Sequence, residues 1–291
     1  MAYYTGTAAT LTALRTAVTD TLVSEGWTWD SGAEIIYKGT MFFRLTVGTI
    51  SKANHPFLAV QGRTALSGGD IPPSDGAYMR EFDGVLFTYP ITYHIFTAAS
   101  DIIVSCEIGA NRWQHFGFGQ SQMPGITGTG NYYFAPYGYS TDSYASSYPI
   151  SITPFSGTSS VYGDRERNYF FHSGLNVGSP WNPGASTCGW NDCKNVLDTQ
   201  PNQFNMETIL IPIRVFYLYD SSKYGLIFEH PTMRYVRNDN YADFEIVTLG
   251  SDKWVIMPCY KKDITNRTQF TISSGDYRSG TYAIAVKYEG P

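Results

Sequence analysis

The sequence predicts a mainly β protein: antiparallel sheets in a sandwich-like arrangement, one N-terminal helix and a long loop-rich insertion. Three observations carry this. Several runs alternate apolar and polar residues at the two-residue period of a half-buried strand, as Phe43, Leu45 and Val47 do around Arg44 and Thr46. A single run, Ala8, Leu11, Leu14, Val18 and Leu22, recurs at helical steps. Between residues 136 and 205 neither period persists, and Gly, Ser, Pro, Asn and Tyr dominate.

The helix comes first, with Thr7 or Thr10 as its cap and Gly26 at its end. Its polar face is Thr-rich and carries Arg15 as its one cation, unlike the strongly basic face of a membrane-surface helix. Strands are then expected at Ile35–Lys38, Met41–Val47 and Phe57–Val60, followed by a Gly/Pro loop from Ser67 to Asp75. Thr92–Phe96 and Asp101–Ile108 form the strongest strand pair, joined through Thr97-Ala98-Ala99-Ser100. Gly109-Ala110-Asn111 turns the chain into a third meander strand, Arg112–Gly119.

Tyr132–Phe134 and Tyr169–Phe171 read as short strands within or beside the insertion, which is too aromatic for ordinary disorder. Strand signals return at Thr208–Tyr219, Tyr224–Phe228, Phe244–Leu249 and Trp254–Tyr260, the last two flanking a Gly250–Lys253 hairpin loop. In the closing run Tyr282, Ile284, Val286 and Tyr288 share one face, and Ala283, Ala285 and Lys287 the other. The organisation expected is a helix-plus-meander unit over 1–135, an insertion over 136–205 and a C-terminal β region over 206–291. Pairing of strands distant in sequence can merge the first and last into one domain.

Composition narrows function. Charged residues make up 15% of the chain, below the roughly 25% usual for globular domains, whereas aromatics reach 16% with 23 tyrosines. Sparse charge with abundant Tyr and Gly suits large protein interfaces or sugar contacts, although strands favour Tyr for their own reasons. The net charge of −5 comes with no basic block, so a nucleic-acid partner is not expected. No stretch approaches the roughly 20 apolar residues needed to span a bilayer. The N-terminus has neither a basic nor an apolar leader region, so synthesis in a cytoplasm is expected.

Catalytic and metal-binding signatures are not recognisable: there is no P-loop, G-x-G-x-x-G, H-E-x-x-H or G-x-S-x-G. No enzyme, cofactor or metal is predicted. His55, His94, His115, His172 and His230 lie outside metal-binding spacing of one another and read as structural. Glu107, Glu229, Asp243 and Glu245 are the strand acids that a glycosidase would need to pair across a groove; sequence alone places no two of them so. Cys106 and Cys259 lie in strand-like runs and read as buried thiols. Cys188 and Cys193, separated by four residues in a loop, read as free thiols or a loop disulfide, since the further ligands that would make them half of a metal site do not stand beside them. Asn266-Arg267-Thr268 matches a glycosylation sequon by chance. The residues expected to make contacts are Tyr132, Tyr133, Tyr137, Tyr139, Trp181 and Trp190, with an inter-subunit interface favoured over a sugar platform.

Two segments carry a family likeness. Asp101–Gly119, ending Trp113-Gln114-His115-Phe116-Gly117-Phe118-Gly119, resembles a strand–turn–strand hairpin of tailed-bacteriophage virion proteins, and Gly125–Tyr133 stands where those proteins carry a Gly/Tyr-rich passage. Leu249–Pro258 with Ser279–Lys287 resembles their C-terminal close. The likeness covers about a third of the chain and brings no active residues with it. It implies a structural component of a tail or baseplate, found in the virion and made in the bacterial cytoplasm. Its partners would be further copies of itself and other virion proteins. The alternatives are a receptor- or glycan-binding module of an adsorption apparatus, or a head-decorating protein.

Overall fold

The computed structural model describes residues 1–50, 54–70, 76–81, 86–121, 130–136, 170–172, 186–188, 196–201, 204–220, 223–268, 271–273 and 276–290. The chain is mainly β, with three large antiparallel sheets and the expected N-terminal helix.

Chain order begins with an edge strand, β1 (Ala2–Ala8), ahead of helix α1 (Leu11–Ser24). An N-terminal sheet follows in the order β2 (Thr28–Asp30), β3 (Ile35–Lys38), β4 (Met41–Ile50), β5 (His55–Arg63) and β6 (Ala77–Arg80). The central sheet has the order β1, β7 (Ile91–Ala98), β8 (Asp101–Gly109), β9 (Arg112–Gln120), β10 (Asn131–Phe134) and β11 (Phe170–His172). The C-terminal sheet has the order β12 (Ser186–Cys188), β13 (Ile211–Asp220), β14 (Lys223–Arg237), β19 (Tyr282–Tyr288), β16 (Asp252–Pro258) and β15 (Glu245–Leu249). The strands β17 (Thr271–Ser273) and β18 (Asp276–Arg278) form a small hairpin.

The central sheet lies between the other two, and the two faces of β9 show why. On one face Gln114 reaches β6, and Phe118 meets Phe43 and Trp27 of the N-terminal sheet and its approach, with ring centroids 4.7 and 6.2 Å away. On the other face His115 reaches the Pro258 carbonyl at the end of β16. Strands buried on both faces lose the polar half of their alternation. Accordingly seven consecutive residues of β9 and the first six of β8 are buried. One apolar core runs through all three sheets and includes residues from both ends of the chain.

Helix α1 closes one side, packing Leu11, Leu14, Val18 and Leu22 inward. Thr10 caps it, its hydroxyl accepting from the Ala13 N–H at 3.0 Å. Gly26, at φ +82°, ends it, and the Trp27 N–H returns to the Leu22 carbonyl at 3.0 Å.

One device recurs in the sheets and gives several strand glycines a purpose. Gly6 pairs Tyr93, Gly48 pairs Phe57, Gly117 pairs Phe134 and Gly119 pairs Tyr132 across neighbouring strands. In each case the ring lies over the bare glycine, and a β-carbon at Gly48 or Gly117 would stand 2.6 Å from ring atoms. The glycine gives up side-chain packing so that the opposite ring can lie flat on the sheet.

Candidate functional site

The hairpin β8–β9 is the hub of the molecule, and its polar side chains tie the sheets together. Gln114 stands beside the backbone of Arg80: its Oε1 accepts from the Arg80 N–H at 3.0 Å and its Nε2 donates to the Arg80 carbonyl at 2.9 Å. The side-chain amide thus acts as one extra ladder rung on the outer edge of β6.

His115 bridges in the opposite direction. Its Nε2 lies 2.8 Å from the Pro258 carbonyl, which only accepts, so Nε2 carries the proton. Its Nδ1, 2.9 Å from the Ser105 hydroxyl, is then the acceptor. Burial pushes its pKa down to about 4 and keeps the ring neutral.

A third node is Asp101, at the start of β8. Its carboxylate accepts from the hydroxyls of Tyr132 and Thr232, and His230 Nε2 lies 3.5 Å away. All four side chains are buried, surrounded by Phe228 and Phe134. Burial lowers the His230 pKa, and the adjoining Asp101 carboxylate acts in the opposite direction. The node joins the central sheet to β14.

These contacts revise the expected binding residues. Tyr132 and Tyr133 are 0% exposed within the single chain, because β10 lies inside the sheet stack, so they offer no face to another molecule. Tyr78, Tyr235, Tyr260, Tyr282 and Tyr288 are likewise buried. Wealth in tyrosine therefore does not by itself mark an interface here. Tyr137, Tyr139, Trp181 and Trp190 lie outside the described residues, as does Cys193; Cys188 falls on β12. Cys106 and Cys259 are free and buried, as their strand context predicted, and burial raises both thiol pKa values well above the ordinary range.

The strand acids separate into two kinds. Glu229 is held by Arg214 at 2.8 Å on the surface, and Glu245 accepts from the Ala242 N–H at 2.6 Å. Glu107 and Asp243 are brought into one neighbourhood. Partial burial raises the Asp243 pKa; Lys262 and Trp113 pull it down, and Glu107 pushes it up. Among the described residues no group of three or more His, Cys, Asp or Glu side chains is placed to hold a metal ion.

A different surface was not anticipated. β15 is the edge of the C-terminal sheet, paired on one side to β16. Ile246 and Leu249 on it are 41% and 51% exposed. Beside its start runs the segment 204–210: Asn240 donates to the Met206 carbonyl at 3.1 Å, and Tyr241 lies near both Glu207 and Glu245. Phe204, Met206 and Ile209 are exposed there. The signal for this surface was present in the Glu245-Ile246-Val247-Thr248-Leu249 run, which after Glu245 carries none of the charged residues or Pro that usually blunt an edge strand.

No helix among the described residues is long and apolar enough to cross a membrane. No known protein family matches the chain. A comparison with curated proteins likewise finds no match, so the inter-sheet hub and the β15 edge are what bear on its role.

Proposed function

We propose that the chain is a structural subunit of a tailed-phage particle, in the tail or baseplate, and that it acts by assembling with copies of itself and with other virion proteins. The observation that carries this reading is the β15 edge, unpaired on its outer side among the described residues, with its exposed apolar neighbours. An open strand edge presents unpaired backbone donors and acceptors, and a second strand laid along it satisfies them. The resemblance of the β8–β9 hairpin and of the β16 and β19 segments to virion proteins supports the same role.

The occupant we assign is a second copy of this chain. Antiparallel pairing of two β15 strands about a two-fold axis sets Val247 opposite Val247 and Glu245 opposite Leu249, which joins two six-stranded sheets into one. Light scattering of the purified protein, with electron microscopy of the protein and its parent particle, tests this. Discrete oligomers are expected, and Leu249→Lys or Ile246→Lys should return them to monomers with unchanged circular dichroism. A strict monomer at all concentrations that is missing from the particle would overturn the reading.

A further inference from the structure

Away from the β15 edge, a recess of about 560 Å³ opens between two short walls, residues 198–201 and 265–268. That volume falls within the roughly 300–1,000 Å³ of small-molecule sites.

The walls are held from below by a buried arginine. Arg237, at the end of β14, has no exposed side-chain surface. Its Nε donates to the Thr281 hydroxyl at 2.8 Å, its Nη2 to the Arg267 carbonyl at 2.8 Å and its Nη1 to the Leu197 carbonyl at 3.3 Å. Its guanidinium sits 4.7 Å over the Tyr282 ring. A second tie crosses the recess itself, from Arg267 Nη2 to the Gln200 carbonyl at 3.3 Å. Gly280, at φ +58°, lets β19 start directly against the Arg267 carbonyl, where a β-carbon would collide. The recess is therefore set by the fold before any ligand arrives, which reduces the ordering cost of binding.

Its charges cancel locally. Asp239 pairs with both Arg267 and, at 3.3 Å, Arg237, and Asp198 faces Arg237 from the other side at 3.8 Å. An anion would meet the Asp198 carboxylate, and a cation would meet Arg267. The same recess is lined by uncharged hydrogen-bonding side chains, among them the Gln200 amide and the Thr265 and Thr268 hydroxyls. Asp198 keeps 29% of its side-chain surface open, while its Oδ1 accepts from the Tyr282 hydroxyl. A carboxylate fixed in this way, with solvent access, is suited to accept hydroxyl hydrogens from adjacent carbons of a sugar, at roughly twice the strength of a neutral acceptor.

We propose that the recess between residues 198–201 and 265–268 binds a neutral saccharide unit, with Asp198 as the principal acceptor and Gln200 and Thr268 completing the contacts. The proposal rests on residues other than the Trp181 and Trp190 considered from sequence, and it does not depend on the assembly role.

The test is a titration of the full chain followed by nuclear magnetic resonance of the Gln200 and Asn266 side-chain amides. The probes are D-glucose, D-galactose, L-rhamnose and N-acetyl-D-glucosamine, with inorganic phosphate and calcium chloride as charged controls. At least one sugar is expected to shift these signals saturably below about 100 mM. Asp198→Asn, which keeps an acceptor for Tyr282, and Gln200→Ala should each weaken that binding at least roughly tenfold. Unchanged melting temperatures would show that the variants remain folded; should Asp198→Asn unfold the loop, Gln200→Ala alone decides. The proposal is overturned if no sugar saturates, if phosphate or calcium binds in their place, or if Gln200→Ala leaves the affinity unaltered.

Discussion

Gln114 illustrates how a single side chain can carry an inter-sheet joint. Replacing it by Ala removes the partners it gives to two buried backbone groups, and each such loss costs on the order of 1–3 kcal/mol. Gln114→Ala should therefore lower stability by about 3 kcal/mol in urea unfolding. Gly119→Ala is expected to cost about 2 kcal/mol or more, because the added carbon meets both the Ser100 carbonyl and the Tyr132 ring, and backbone cannot step aside. Cys106 and Cys259 should show no reaction with a thiol reagent until the chain is unfolded, since only the thiolate attacks and burial suppresses it. At the Glu107–Asp243 pair, Glu107→Gln should move the Asp243 pKa down, toward its ordinary value, by removing a like charge, and Lys262→Ala should move it up. A carboxyl carbon titration reads both directions.

At the scale of elements, legibility followed local pattern. β3 matched its expected bounds, and the β7–β8–β9 meander did so nearly, because alternation and turn residues lay in one short window. The two faces of β19 also separated as expected: Tyr282, Ile284, Val286 and Tyr288 enter the main core, and Ala283 and Ala285 a second cluster with Trp254 and Ile256. Strand β1 was missed. Its Thr, Gly and small residues carry little hydrophobic signal, and it is defined by pairing with β7, some 90 residues on. Strand β6 was missed too, because Ala77–Arg80 is short and its Arg80 is buried. The strand expected to stop at Phe228 instead continues to Arg237 as β14. Pro231 reads as a breaker, but it falls where the pairing with β13 shifts register, the one kind of interior strand position that tolerates proline.

For the whole molecule, the three-layer stacking was not readable from sequence. It depends on which strand faces which across the core, and no local period encodes that. The recess was equally hidden. The residues at 198–201 and 265–268 meet only because β14 and β19 adjoin, and Arg237 looks like an ordinary strand cation until its depth is known. Stacking also sets a pH limit. His94 and His115 are held neutral, with pKa values near 4 against an ordinary 6.5, and His230 is shifted the same way. Protons then favour the unfolded chain as pH falls below 6.5, and the loss stops growing once the native rings titrate near 4. His94 and His115 should each contribute a loss of roughly 3 kcal/mol across that window. Melting temperature should hold above neutrality and drop steeply toward pH 4; a flat profile would contradict this assignment.

The glycines under Tyr132 and Phe134 do more than make room. A strand displaced by two residues keeps its inward and outward faces, so burial alone cannot reject that slip. Here β10 moved one way would set Phe134 on Gly119 and leave Tyr132 against Ser121; moved the other way, it would press Phe134 onto His115. Only one alignment seats both rings, so the spacing of two bare backbone positions works as a tooth pattern that indexes the strand as the sheet closes.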